Sequence, residues 1–176
     1  TGFGGSFTMS ASTAYGNIVI SPGMTLGATT NTLTLGTTST QSITTNGQTL
    51  DFPITMSGLG GTASLVGALT MGSTKAFTLG NGTINLNGQT LTANNFITAT
   101  GTKSIAFNNG ILVLTGSGAT VFNNAVPTGL TTSAGNANGY TVDAIVNQYG
   151  KSGDIIKSYK FVGLFPIDVA PIDLDW

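Results

Sequence analysis

"KAFTLGNGTINLNGQTLTANNFITATGTKSIAFNNGILVLTG", residues 75–116, decides the fold. Ile84 and Leu86 alternate with Thr83 and Asn85, and Leu112 and Leu114 alternate with Ile111 and Val113. Farther upstream, Leu33 and Leu35 alternate in the same way with Thr32 and Thr34. A period of two sends one set of side chains to a buried face and the other outward, which is the signature of a β-strand. Between the strands, Asn46 with Gly47, Asn81 with Gly82, Asn87 with Gly88 and Asn109 with Gly110 supply residues that tolerate the positive φ of tight turns.

The pattern repeats loosely. "NGQTL" occurs at 46–50 and again at 87–91, an offset of 41. "KAFTLGNGTINLNG" (75–88) is echoed by "SIAFNNGILVLTG" (104–116) at a spacing nearer 30. Short strands with frequent turns suit either a β-solenoid or a β-sandwich. The repetition, with stacked Thr and Asn rows in place of charge, favours a repeat-built solenoid, and the sandwich is the alternative.

Composition supports an all-β chain. Charged residues make up 6% of the 176, against about 25% in ordinary globular proteins, and there is no Arg, Glu or His. Surface helices carry such residues on their wet face, so a helical architecture is not expected. The net charge of −1 and five scattered lysines provide no stripe able to neutralise several phosphates, so no sequence-specific nucleic-acid partner is expected. No apolar run approaches the ~18 residues of a membrane span, and neither membrane insertion nor a signal peptide is expected. Because the chain starts at Thr1, it reads as a processed or truncated piece. The absence of cysteine removes disulfides and thiolate metal sites.

Charge also divides the chain. Residues 1–130 contain only Asp51, Lys75 and Lys103, and the other eight charges fall in 131–176. A break near residue 130 is expected, with a Thr/Gly/Asn-rich repeat domain before it and a hairpin segment after it. In the second part "YTVDAIVNQY" (140–149), the turn "GKSG" (150–153) and the return "DIIKSYKFVGLF" (154–165) form that hairpin. Pro166 and Pro171 then confine "PIDVAP" to an edge or crossing segment.

The stretch "AIVNQYGKSGDIIKSYKFVGLFPIDVAPIDLDW" (144–176) resembles the C-terminal part of the tail tube protein of contractile-tailed bacteriophages, both the T-even type and those infecting cyanobacteria. The resemblance rests on Ala144 to Val146, Gln148, Tyr149, the lysine-bearing return strand, Gly163 to Pro166, and the closing Leu174, Asp175 and Trp176. It implies a non-catalytic virion protein, assembled in the host cytoplasm, whose subunits form stacked rings with themselves and with other tail proteins. Residues 1–130, most clearly 82–122, resemble the Thr/Asn/Gly-rich repeats of phage structural proteins and of β-helical adhesins. That second resemblance implies, as an alternative, a receptor-binding module that contacts host surface glycans.

Chemistry is thin. With no His or Cys, hydrolase triads and thiol nucleophiles are ruled out, and a lone Asp51 in the repeat part cannot supply an acid–base pair. Asp168, Asp173 and Asp175 are candidate calcium ligands that read better as a wet strand face, so no metal or cofactor is expected. "GLGGTASLVG" (58–67) lacks the lysine and helix of a phosphate loop and reads as a flexible loop. Phe77, Phe96, Phe107 and Phe122, near one per repeat, read as a stacked core. Tyr149, Tyr159, Phe161, Phe165 and Trp176 exceed what a small hairpin can bury and are the expected assembly interface of a homo-oligomer.

Overall fold

The computed structural model of the chain describes residues 5–118, 120–124, 126–133 and 142–164. It divides into two units, Thr1–Gly135 and Asn136–Trp176. The first begins with β1 (Ser6–Phe7) and then advances in coils of three strands. They are β2 (Ser12–Ala14), β3 (Ile18–Val19) and β4 (Thr25–Leu26), then β5 (Leu33–Leu35), β6 (Thr40–Thr44) and β7 (Thr49–Leu50). The third coil holds β8 (Ile54–Met56), β9 (Thr62–Leu65) and β10 (Leu69–Met71), and the fourth β11 (Ala76–Leu79), β12 (Gly82–Asn85) and β13 (Thr90–Ala93). The fifth holds β14 (Asn95–Thr98), β15 (Lys103–Ala106) and β16 (Ile111–Leu114), and β17 (Phe122–Asn123) and β18 (Leu130–Ser133) begin another.

Among the described residues every pairing in this unit is parallel and joins strands three apart in chain order, although β4 and β7 are not paired. Strands β2, β5, β8, β11, β14 and β17 form one six-stranded sheet, and β3, β6, β9, β12, β15 and β18 a second. On the third side β7, β10, β13 and β16 pair, and β1 pairs with β4. This is a β-solenoid of about five turns, without helices among the described residues. A sandwich would need antiparallel neighbours within each sheet, and there are none among the described residues of this unit.

Alternation places the core. Leu33 and Leu35 are buried about the half-buried Thr34, and Ile84 and Leu86 about Asn85. In the first sheet the inward column runs Leu33, Ile54, Phe77, Phe96, Phe122 from coil to coil. Each fully buried apolar side chain of this kind stabilises the fold by roughly 1.5–3 kcal/mol. The aromatic members also stack: Phe77 on Phe96 at 5.5 Å and Phe96 on Phe122 at 5.6 Å between ring centroids. Phe107 is outside this column. It follows β15 in the second sheet and packs against the edge of the core from there.

The corners explain the Asn–Gly repeats. Asn46 and Gly47 both have positive φ, as do Asn87 and Gly88, and in each case the turn closes with a backbone bond, Gln48 N–H to Thr45 O and Gln89 N–H to Leu86 O. At the same corner one coil on, the residues with positive φ are Asn108 and Asn109, displaced by one from the expected Asn109 and Gly110. At 81–82 only Gly82 has positive φ. Side chains hold the corners to the coil beneath: Asn46 Nδ2 donates to Ile20 O at 2.7 Å, and Asn87 Nδ2 to Leu65 O at 3.0 Å.

The segment 58–67 is not a loop throughout. Thr62–Leu65 is β9, an interior strand of the second sheet, with a turn before it and a bend at Val66 and Gly67 after it. Its glycines serve close packing: a Cβ on Gly58 or Gly61 would stand 1.7 or 1.9 Å from Thr37 O. The solenoid also continues past the expected break near residue 130, since β18 pairs with β15 through Ser133.

The second unit is an antiparallel hairpin of β19 (Val142–Tyr149) and β20 (Ile155–Leu164). Its turn closes with Gly150 N–H on Asp154 O and Gly153 N–H on Gly150 O.

Candidate functional site

The hairpin contains the residues expected to form an interface. Tyr149 pairs with Ile155 and Tyr159 with Val146, while Gln148 pairs with Lys157, so Ile156 is the extra residue of a bulge. A bulge re-aims side chains and bends the strand that carries it. Tyr149, Ile155, Ile156 and Tyr159 are 59%, 54%, 65% and 43% exposed. The polar contacts here are local: Ser158 Oγ to Asn147 Oδ1 across the pair at 2.6 Å, and Lys157 Nζ 5.0 Å from the Tyr159 ring centroid. Phe161 stands opposite Ala144 in the backbone register, and Phe165 and Trp176 lie outside the described residues, as do Asp168, Asp173 and Asp175. Ile155 and Ile156 belong with the tyrosines as uncovered apolar groups, and composition alone did not mark them because strand isoleucines read first as core.

The solenoid presents a second kind of surface. Along the outward face of the second sheet, Thr40, Thr62, Thr83, Ser104 and Thr131 stand in direct register, and Ser42, Ser64, Asn85, Ala106 and Ser133 form a parallel rank beside them. Thr13, Thr34, Thr55 and Thr78 make a single rank on the first sheet. Adjacent coils place such groups ~4.7–4.9 Å apart, the spacing of paired strands. These ranks follow from the outward half of the two-residue period.

The few charges of the solenoid serve its framework. Lys103 is 1% exposed, and its Nζ donates to Gly101 O at 3.1 Å and Thr128 O at 2.8 Å, tying two corner segments together. Lys75 Nζ lies 3.8 Å from Asp51 Oδ1 and donates to Thr29 O at 3.1 Å. Among the described residues no three His, Cys, Asp or Glu side chains converge on a point that could hold a metal ion. No helix among them is long and apolar enough to cross a membrane.

Comparison with known proteins finds no match to a protein-family model, to a curated protein or to a solved structure.

Proposed function

We propose that this chain is a non-catalytic structural subunit of a bacteriophage virion, of the tail tube or an appendage attached to it, acting by self-assembly. The observation that carries the reading is the hairpin. As a two-stranded sheet it leaves one edge of each strand unpaired among the described residues, and it exposes Tyr149, Ile155, Ile156 and Tyr159. An isolated hairpin is at best marginally stable in water, and an open edge beside uncovered apolar side chains is stabilised by pairing with another chain. A symmetric homo-oligomer supplies that partner. The same segment carries the likeness to tail tube proteins, and the solenoid suits a rigid body that bears it. The chain's lack of His, Cys, Glu and Arg agrees with a role without catalysis.

Mass spectrometry of purified phage particles whose genome encodes the chain tests this. The expected result is the chain at many copies per particle; particles that are complete without it overturn the reading.

A further inference from the structure

We infer that the solenoid carries a binding site for one ring of a neutral sugar, in a groove of about 250 Å³ at the corner where the first and second sheets meet. The groove arises from unequal corners. Five residues, 57–61, separate β8 from β9, whereas two, 80–81, separate β11 from β12 one coil on. The longer corner overhangs the shorter, so Leu59 and Gly60 form one wall and Thr83, Ser104 and Thr131 form the other side.

The lining matches the chemistry of a pyranose. Thr83, Ser104 and Thr131 occupy equivalent outward positions in three successive coils and line the groove in a rank, the Thr131 hydroxyl also donating to Lys103 O at 3.5 Å. A hydroxyl both donates and accepts, which is what sugar hydroxyls require. Ser104, lacking the methyl group of its neighbours, leaves room in the middle of the rank. Thr side chains are restricted at χ1, so little freedom is lost when they are engaged. Opposite them Leu59, 66% exposed, offers an apolar surface to the C–H face of the ring.

Charge selects the ligand class. The one ionisable residue of the lining, Lys103, turns its ammonium inward to the carbonyls of Gly101 and Thr128, so the groove presents neither an exposed cation nor a carboxylate. That lining favours a neutral sugar over a uronate or a phosphate. The volume falls just below the ~300–1,000 Å³ of sites for drug-sized ligands, which limits it to about one ring. Thr62 and Thr40 continue the hydroxyl rank beyond the groove and would meet neighbouring rings of a polymer running along the solenoid.

The test is saturation-transfer NMR on the full chain, with methyl glycosides of neutral hexoses and of glucuronic acid as the probes. Because the ligand is observed, the readout holds whether or not the chain assembles, and it is scored apart from the structural role proposed above. At least one neutral glycoside is expected to receive saturation at millimolar concentration. Ser104→Phe, which fills the groove, and Thr83→Val with Thr131→Val, which keeps shape and removes hydroxyls, are each expected to abolish that transfer. Thr34→Val with Thr55→Val, on the first sheet and outside the lining of the groove, is expected to leave it unchanged. Should Ser104→Phe fail to fold, the isosteric pair decides. No transfer to any neutral glycoside, transfer retained in the isosteric pair, or stronger transfer to the glucuronide would each overturn the inference.

Discussion

Phe77 and Phe96 lie one above the other in successive coils, their ring centroids 5.5 Å apart and their planes within 11° of parallel. Phe122 extends the stack from the other face of Phe96 at 5.6 Å and 4°, but is 44% exposed where the other two are fully buried. Phe96 therefore has an aromatic neighbour on both faces, and Phe122 is the end of the column. Phe96→Ala is expected to lower unfolding stability by about 3–5 kcal/mol, the usual cost of deleting a buried aromatic. Phe122→Ala should cost well under half of that. Urea unfolding followed by circular dichroism compares the two, and equal losses would mean that the column does not carry the core.

Two glycines with the same backbone angle separate conformational cost from packing. Gly47 and Gly82 both have φ +78°, but a Cβ on Gly47 meets nothing within 4 Å, whereas one on Gly82 would stand 2.4 Å from Gly58 O and 2.6 Å from Gly61 O. Gly47→Ala is expected to cost about 1–2 kcal/mol, the penalty for a left-handed L-residue. Gly82→Ala adds a clash with backbone that cannot move aside, and should either cost several times as much or prevent folding. Comparison of melting temperatures and soluble yields checks the order.

Gln41 occupies an inward position in register with Ala63 and, through it, with Ile84 and Ile105. It is fully buried, and neither its Oε1 nor its Nε2 has a hydrogen-bond partner among the described residues. Leaving such a group unpaired costs about 1–3 kcal/mol, so Gln41→Leu, close in size, is expected to stabilise the chain by that order. A lowered urea midpoint would contradict this.

Lys103 presents the opposite case, because both hydrogen bonds of its ammonium satisfy backbone carbonyls. Lys103→Met keeps the apolar stem and strands the carbonyls of Gly101 and Thr128, with an expected loss of about 1–3 kcal/mol. Hydrogen exchange should show the loss concentrated in the amides of β15 and β18. A uniform change along the solenoid would assign Lys103 a different role.

Much of the solenoid was legible because period two and positive-φ corners are local properties. Leu33, Leu35, Ile84 and Leu86 announce their faces from the residues beside them, and Asn46–Gly47 and Asn87–Gly88 announce their corners. Coil length was less legible because the coils are unequal. Thr49 stacks on Thr70 and Thr70 on Thr92, steps of 21 and 22, so the repeat of "NGQTL" at 41 spans two coils with a slip of two residues. A slip of two keeps every side chain on its own face, so the sequence tolerates it. The likeness at 30 was misleading, since it sets β11 of the first sheet against β15 of the second and makes Phe107 look like a partner of Phe77. The true partners, Phe96 and Phe122, are spaced 19 and 26 residues along, too unevenly to be seen as a repeat. The groove beside Leu59 was hidden for the same reason: it comes from a difference in corner length between neighbouring coils, which no single repeat displays.

Self-assembly through the hairpin is read out by sedimentation velocity across a concentration series. The full chain is expected to sediment as a discrete oligomer whose population grows with concentration. Ile156→Lys combined with Tyr149→Ser should return it to monomer with its strand content unchanged by circular dichroism. A wild-type chain that remains monomeric at the highest concentration attainable, or a double variant that assembles as well as the wild type, would contradict it.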